Sequence, residues 1–173
     1  MTDEISDLVA ARGAEIIETR RHFHGIPELG FEENETAKSI ADRLSVAGLE
    51  VETGIGKTGV VAVLRGSKDG PTLMIRADID GLPVDELTGL EFASTSGRMH
   101  ACGHDGHITM AVVAAEILAG IKDQLAGTLI FVFQPAEEVV QGALAMIDDG
   151  LFEKYPADRV IGTHLWNQIP TGI

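Results

Sequence analysis

Residues 99–121, Met99-His100-Ala101-Cys102-Gly103-His104-Asp105-Gly106-His107 followed by ITMAVVAAEILAGI, decide how the chain is read. The second part, from about His107 to Ile121, places Met110, Val112, Val113, Ile117 and Leu118 on nearly every side of a helix, the pattern of a helix laid on a sheet. The first part sets the only cysteine among three histidines and an aspartate. Cys102 and His104 offer a soft thiolate and an imidazole two residues apart, and the glycines at 103 and 106 let the backbone turn both inward. Positions i and i+2 diverge on a helix, so these two are expected in a loop just before it. Two readings follow. One is half of a metal site; the other is a nucleophilic Cys102 activated by His104 or His107. A single Cys or His usually just packs, but this crowding between glycines favours metal. The nucleophile needs no carboxylates, so residues elsewhere separate the two.

Outward from this stretch the chain alternates. Val60–Leu64 and Thr72–Ala77 are short apolar runs separated by a turn at residues 66–71, and Thr128–Phe133 and Arg159–Thr163 are two further strands. Residues 142–149 form a short helix between them. Ahead of the strands, residues 4–23 carry Ile5, Leu8, Val9, Ile16 and Ile17 at helical spacing, with acidic residues early and Arg20 and Arg21 late. A Pro- and Gly-containing break follows at residues 22–30. A second helix runs from about Glu32 to Ala47, closed by Gly48. The expected fold is α/β, a layered, largely parallel mixed sheet flanked by helices, in one domain.

Composition agrees. The 173 residues are 45% hydrophobic with a mean hydropathy of +0.14, enough for one core. A formal charge of −14 argues against nucleic acid or an anionic membrane as partner. One cysteine excludes an internal disulfide and fits a reducing compartment. The acidic start, Met1-Thr2-Asp3-Glu4-Ile5, has no apolar signal core, and a cytoplasmic location is expected.

In α/β sheets ligands bind beyond the carboxyl ends of the strands. Asp78 and Asp80 follow the second strand, Glu137 and Glu138 the third, and His164 the fourth. Carboxylates and an imidazole delivered to one rim, where the Cys102 loop joins them, favour a metal site over a cysteine nucleophile. Glu137 and Glu138 diverge at a strand end, so one suits a metal while its neighbour moves a proton. Asp78 and Asp80 share a face, suited to a ligand plus a carboxylate that orients a histidine. His22, His24, His100 and His107 read more weakly, as caps, packing or substrate contacts, and Trp166 as a packed residue or, less favoured, a lining of the site.

Taken together, Arg76–Pro83, Met99–His107, Gln134–Glu138 and Thr163–Trp166 resemble the metal-dependent amidohydrolases that include hippurate hydrolases, N-acyl-amino-acid aminoacylases and auxin-conjugate hydrolases. Arg21–Gly30 is similar to the family's N-terminal signature. The resemblance implies a zinc-peptidase-like catalytic domain over residues 1–173, two divalent ions (zinc or manganese), and Cys102, His104, Glu138 and His164 as metal ligands. It implies Glu137 as general base and Asp80 as the catalytic-site carboxylate that supports a histidine ligand. Asp78 stands where wider relatives carry a histidine ligand, so it is either a ligand or a residue behind one. The implied reaction is hydrolysis of a small-molecule N-acyl amino acid to a carboxylic acid and an amino acid. Family members are roughly twice as long, with a satellite domain that binds substrate, often dimerises, and precedes a late histidine ligand. The expectation is an N-terminal catalytic portion, with a homo-oligomer in the full-length form. The alternative is a truncated, inactive metal-binding remnant.

Overall fold

The computed structural model describes residues 2–170; Met1, at the head of the acidic start, and residues 171–173 lie outside the described residues. Three helices open the chain, α1 (Thr2–Ala11), α2 (Gly13–His24) and α3 (Asn34–Val46). The single helix expected over residues 4–23 is divided at Arg12. Gly13 is a weak helix former there, and the Arg12 side chain turns away to pair with Glu15 and Glu116.

Strands β1 (Glu50–Ile55), β2 (Gly59–Arg65) and β3 (Lys68–Asp78) lead into α4 (His104–Gly120). After a short 3-10 turn at Lys122–Gln124 come β4 (Ala126–Gln134), α5 (Gly142–Asp148), α6 (Leu151–Lys154) and β5 (Arg159–Gly162). The sheet order is β1-β2-β4-β3-β5. β4, β3 and β5 are mutually parallel neighbours, and β2 runs antiparallel to both β1 and β4. The expected sheet is therefore present, parallel on the side where the chemistry collects.

The central strands are apolar on both faces because both are covered. Val60, Ala62 and Leu64 of β2 and Phe131 and Phe133 of β4 face a core with Phe23 of α2, Ile40 and Leu44 of α3, and Ile108 and Val112 of α4. The alternate residues Val61, Val63, Ile130 and Val132 join Met74, Met146 and Leu151 on the other face, under α5 and α6. This two-residue alternation sets the register, since a one-residue slip would exchange the two faces.

Three details differ from expectation. β1 is an additional edge strand whose Glu50 and Glu52 hide its pairing with β2. β3 begins at Lys68, inside the stretch expected to be a turn, because Lys68 pairs with Ala126 before the ladder resumes at Thr72. α4 begins at His104 rather than near His107, because Gly103 at φ +86 turns the chain directly into the helix. Among the described residues, no helix is long and apolar enough to cross a membrane.

Candidate metal centre

Because β3, β4 and β5 run parallel side by side, their carboxyl ends lie together, and the start of α4 lies against them. Asp78 ends β3, and Asp80 follows two residues later. Both are buried. His104, the first residue of α4, is fully buried and points back toward the strand ends, the direction a helix gives its side chains. Its Nδ1 lies 2.9 Å from the Asp80 carbonyl oxygen and 3.2 Å from Asp80 Oδ1. Donation from Nδ1 leaves Nε2 as the lone-pair nitrogen facing the centre. Asp80 Oδ2 accepts from the Glu138 backbone N–H at 2.9 Å, so one carboxylate fixes both the histidine and the glutamate turn.

Around His104 Nε2 stand Asp78 Oδ2 at 3.6 Å, Glu137 Oε2 at 3.8 Å and Glu138 Oε1 at 3.8 Å. Cys102 Sγ and His164 Nε2 lie 3.6 Å apart. Three groups that each share His104, namely Cys102 with His164, Glu137 with Glu138, and Asp78 with His107, bring one atom per residue within 4.8 Å of one another. His104 Nε2 and Glu138 Oε1 are buried and make no hydrogen bond among the described residues. A buried orphan donor or acceptor is costly, and two such atoms converging beside a thiol and an imidazole fit a divalent cation.

Asp78 differs in that its oxygens are already engaged. Arg76 Nη1 donates to Oδ2 at 2.6 Å, and His107 Nδ1 pairs with Oδ1. Burial alone would raise the Asp78 carboxyl, but the His107 hydrogen bond and the positive charges of His104 and Arg76 outweigh it and hold it at about 2. Asp78 thus lies within ligand reach of His104 and is also held from behind by Arg76 and His107, and both expectations for it stand. His107, read weakly from sequence, is buried, and its Nε2 accepts the Leu165 N–H at 2.8 Å. His164 Nδ1 in turn donates to the Leu165 carbonyl at 2.7 Å, which leaves Nε2 toward Cys102.

The electrostatics bear on the nucleophile reading. Burial first, then the negative charges of Glu138, Glu137 and Asp78, push the Cys102 thiol up to about 11. A thiol so placed is not a thiolate at neutral pH unless a cation sits against it. Burial would lower His104, yet the hydrogen bond to Asp80 and the charges of Asp78, Asp80 and Glu138 raise it. The carboxylates contribute to both shifts, after burial at Cys102 and against burial at His104.

The remaining weak candidates separate. His22 bonds Ser39 away from the centre, and His24 lies buried between Asp105 and Glu86. His100 is buried with both ring nitrogens unpartnered among the described residues, and burial lowers it to about 4. Trp166, expected to pack, is 59% exposed, because β5 and the segment after it have no layer over them among the described residues. Arg76 was missed as a site residue. Its position two before Asp78 on one strand was the available signal, since such residues share a face.

The sequence pattern of peptidase family M20/M25/M40 matches residues 74–173, which contain every candidate ligand. A hippurate hydrolase of Campylobacter jejuni is 48% identical over 154 residues, 88% of this chain and 39% of its own length. An N-acyl-L-amino acid amidohydrolase of Geobacillus stearothermophilus is 41% identical over 98% of this chain and 46% of its own length. Among solved structures, the YXEP protein of Bacillus subtilis, described as a dinuclear metal-binding peptidase of the M20 family, superposes with a TM-score of 0.87 at 41% identity, covering 94% of this chain and 46% of that one. The chain thus spans about two-fifths of the length of the curated relatives it matches. Sequence pattern, fold and the buried cluster at the strand ends agree, and the chain belongs to the M20/M25/M40 peptidase family.

Proposed function

We propose that this chain carries the metal-binding, catalytic part of an amidohydrolase that cleaves N-acyl amino acids to a carboxylic acid and an amino acid. The observation that carries the reading is the pair of buried orphan atoms, His104 Nε2 and Glu138 Oε1, 3.8 Å apart beside Cys102 and His164. Cys102, His104, Glu138 and His164 are the proposed ligands of two zinc or manganese ions. The thiolate and imidazoles favour zinc and the carboxylate admits manganese. When bound, the metals acidify water and polarise the amide carbonyl.

The chain's own residues do the rest. Glu137, with 39% of its side chain exposed at the mouth of the cluster, takes the proton of the attacking water and delivers it to the departing amine. Asp80 holds His104 in the tautomer that presents Nε2, and Asp78 holds His107 and through it the Leu165 backbone beside His164. The relatives named hippurate hydrolase and N-acyl-L-amino acid amidohydrolase support a small N-acyl amino acid as substrate. The acidic surface and the single cysteine support a cytoplasmic protein that binds neither nucleic acid nor membrane, and the satellite domain of the longer family members a homo-oligomer of the full-length form.

The test is metal content by elemental mass spectrometry, with a Cys102→Ala/Glu138→Ala double variant as control, followed by release of amino acid from N-benzoyl and N-acetyl substrates. Near two equivalents of metal, lost in the variant, with chelator-sensitive turnover, is the expected result. Metal without turnover would leave the inactive metal-binding remnant as the reading, and no metal after reconstitution would overturn both.

A further inference from the structure

We infer that Glu33 is a positioning residue for the candidate base and ligand: its buried carboxylate holds the Ala136 N–H, and with it the left-handed turn that aims Glu137 and Glu138 at His104. Glu33 is fully buried although it stands at the start of a helix. A residue in that place usually turns its side chain onto the helix's own first N–H groups. Here Glu28 does so instead, its two oxygens accepting from the Glu35 N–H at 3.1 Å and the Thr36 N–H at 2.8 Å. Glu33 is thereby free to point inward. Its Oε1 accepts from the Ala136 N–H at 2.7 Å, across 103 residues of chain, and its Oε2 accepts from the buried Thr58 hydroxyl.

The recipient is a strained turn. Ala136 sits at φ +49 and Val140 at φ +57, a region that residues with a Cβ avoid. The turn is closed by the Gln141 and Gly142 N–H groups, which both donate to the Ala136 carbonyl. It is pressed from behind by Gly142, where a Cβ would fall 1.6 Å from the Pro135 carbonyl oxygen. Strain of this kind persists only where the surroundings over-determine it. Glu33 acts at the residue immediately before Glu137, while Asp80 holds the other side of the turn at the Glu138 N–H. Two carboxylates, one from the N-terminal segment and one from just past β3, therefore clamp the turn that carries the two glutamates.

This inference rests on the proposed metal centre for its meaning but has a readout of its own. In the whole chain, Glu33→Gln keeps an oxygen for the Ala136 N–H and an amide for Thr58, whereas Glu33→Leu occupies the space with apolar atoms and loses the acceptor. Amide hydrogen exchange at Ala136, measured without metal, is expected to stay slow in the Gln variant and to quicken about tenfold or more in the Leu variant. Cobalt titration is expected to follow. The Gln variant should match the parent, and the Leu variant should bind about ten- to a hundredfold more weakly. Its thiolate-to-cobalt band should persist, since Cys102 arrives on a separate loop, while the ligand-field bands shift with loss of the Glu138 oxygen. If Glu33→Leu does not fold by circular dichroism, Glu33→Asp, which keeps the charge and shortens the reach, takes its place with the same expectations. Unchanged exchange and cobalt binding without the acceptor, or a Gln variant as impaired as the Leu one, would overturn the inference. A parent chain that takes up no cobalt would overturn the metal reading alone, and the exchange measurement would still decide the role of Glu33.

Discussion

On the β3 and α4 side of the metal centre, Asp78, Asp80, His104 and His107 are buried and tied to one another, to Arg76 and to the Glu138 backbone by hydrogen bonds. On the β5 side, Cys102 is half-buried, while His164 and Trp166 are exposed and β5 is open along its whole length. The difference teaches where the pre-organisation resides. The first side takes its geometry from the two cores that the helices and sheet build within these residues. The second side is oriented by the pairing of β5 with β3, by the Cys102–His164 contact and by the link through His107 and the Leu165 backbone.

Replacing His104 breaks this contrast most severely. His104→Ala removes the group on which Asp78, Asp80 and Glu138 converge, leaving buried carboxylates without their imidazole partner. Loss of one member of a buried charged set costs about 3 to 5 kcal/mol. The expected outcome is a urea midpoint far below that of the parent, measured with chelator present, together with no cobalt uptake in a titration that saturates the parent. Retention of either property would place the organising element outside the buried side.

How much of this was legible follows the same division. β2, β3 and β4 announce themselves because burial on both faces demands unbroken apolar runs, and the shared carboxyl ends of the parallel strands β3, β4 and β5 then gather Asp78, Asp80, Glu138 and His164. β1 was invisible because an edge strand needs apolar residues on few positions, and Glu50 and Glu52 occupy the rest. That one of Asp78 and Asp80 would orient a histidine was readable from spacing and chemistry, and the family resemblance pointed to Asp80, but neither named His104 as the partner. The start of α4 was not readable, because it depends on Gly103 adopting a left-handed conformation that the letter Gly permits without requiring. Long-range partners such as Glu33 with Ala136, Glu86 with His24, or His107 with Leu165 leave no local trace, since they join residues 103, 62 and 58 positions apart. Trp166 was misjudged for a different reason. Aromatic size predicts burial only where a second layer exists to supply it.

The buried side can be probed more gently through pH. His24 bridges Asp105, next to His104, and Glu86, which lies in the irregular segment after β3; Arg20 also reaches Asp105, and Phe92 packs edge-on against the ring. Burial alone would lower His24, but the hydrogen bonds to Glu86 and Asp105 and their charges raise it above 6.5. A raised histidine stabilises the fold fully below the unfolded value near 6.5 and loses that contribution as pH climbs through its folded value. The stability gap between the parent and His24→Leu, from urea melts, is therefore expected to be larger at pH 6 than at pH 9. The expected change is about 1 kcal/mol, the difference between charged and neutral hydrogen bonds. A gap independent of pH would mean that His24 keeps one charge state throughout.

The smallest effect belongs to the open side, and it sharpens the comparison because it is expected to be nearly nil. Trp166 is 59% exposed, and its ring centroid stands 6.0 Å from that of His164 in an edge-on arrangement. If the second side is held by its pairing with β3 and its backbone link to His107, the indole adds little to the fold. Trp166→Ala should then shift stability by less than about 0.5 kcal/mol, the usual range for an exposed substitution. Cobalt binding would report on a different property, since removing the indole frees His164 to move while Nδ1 remains tied to the Leu165 carbonyl. An affinity change below about threefold would show that this hydrogen bond suffices to aim His164, whereas a loss of 1 kcal/mol or more in stability would mean that the exposed side is anchored by its aromatic residue after all.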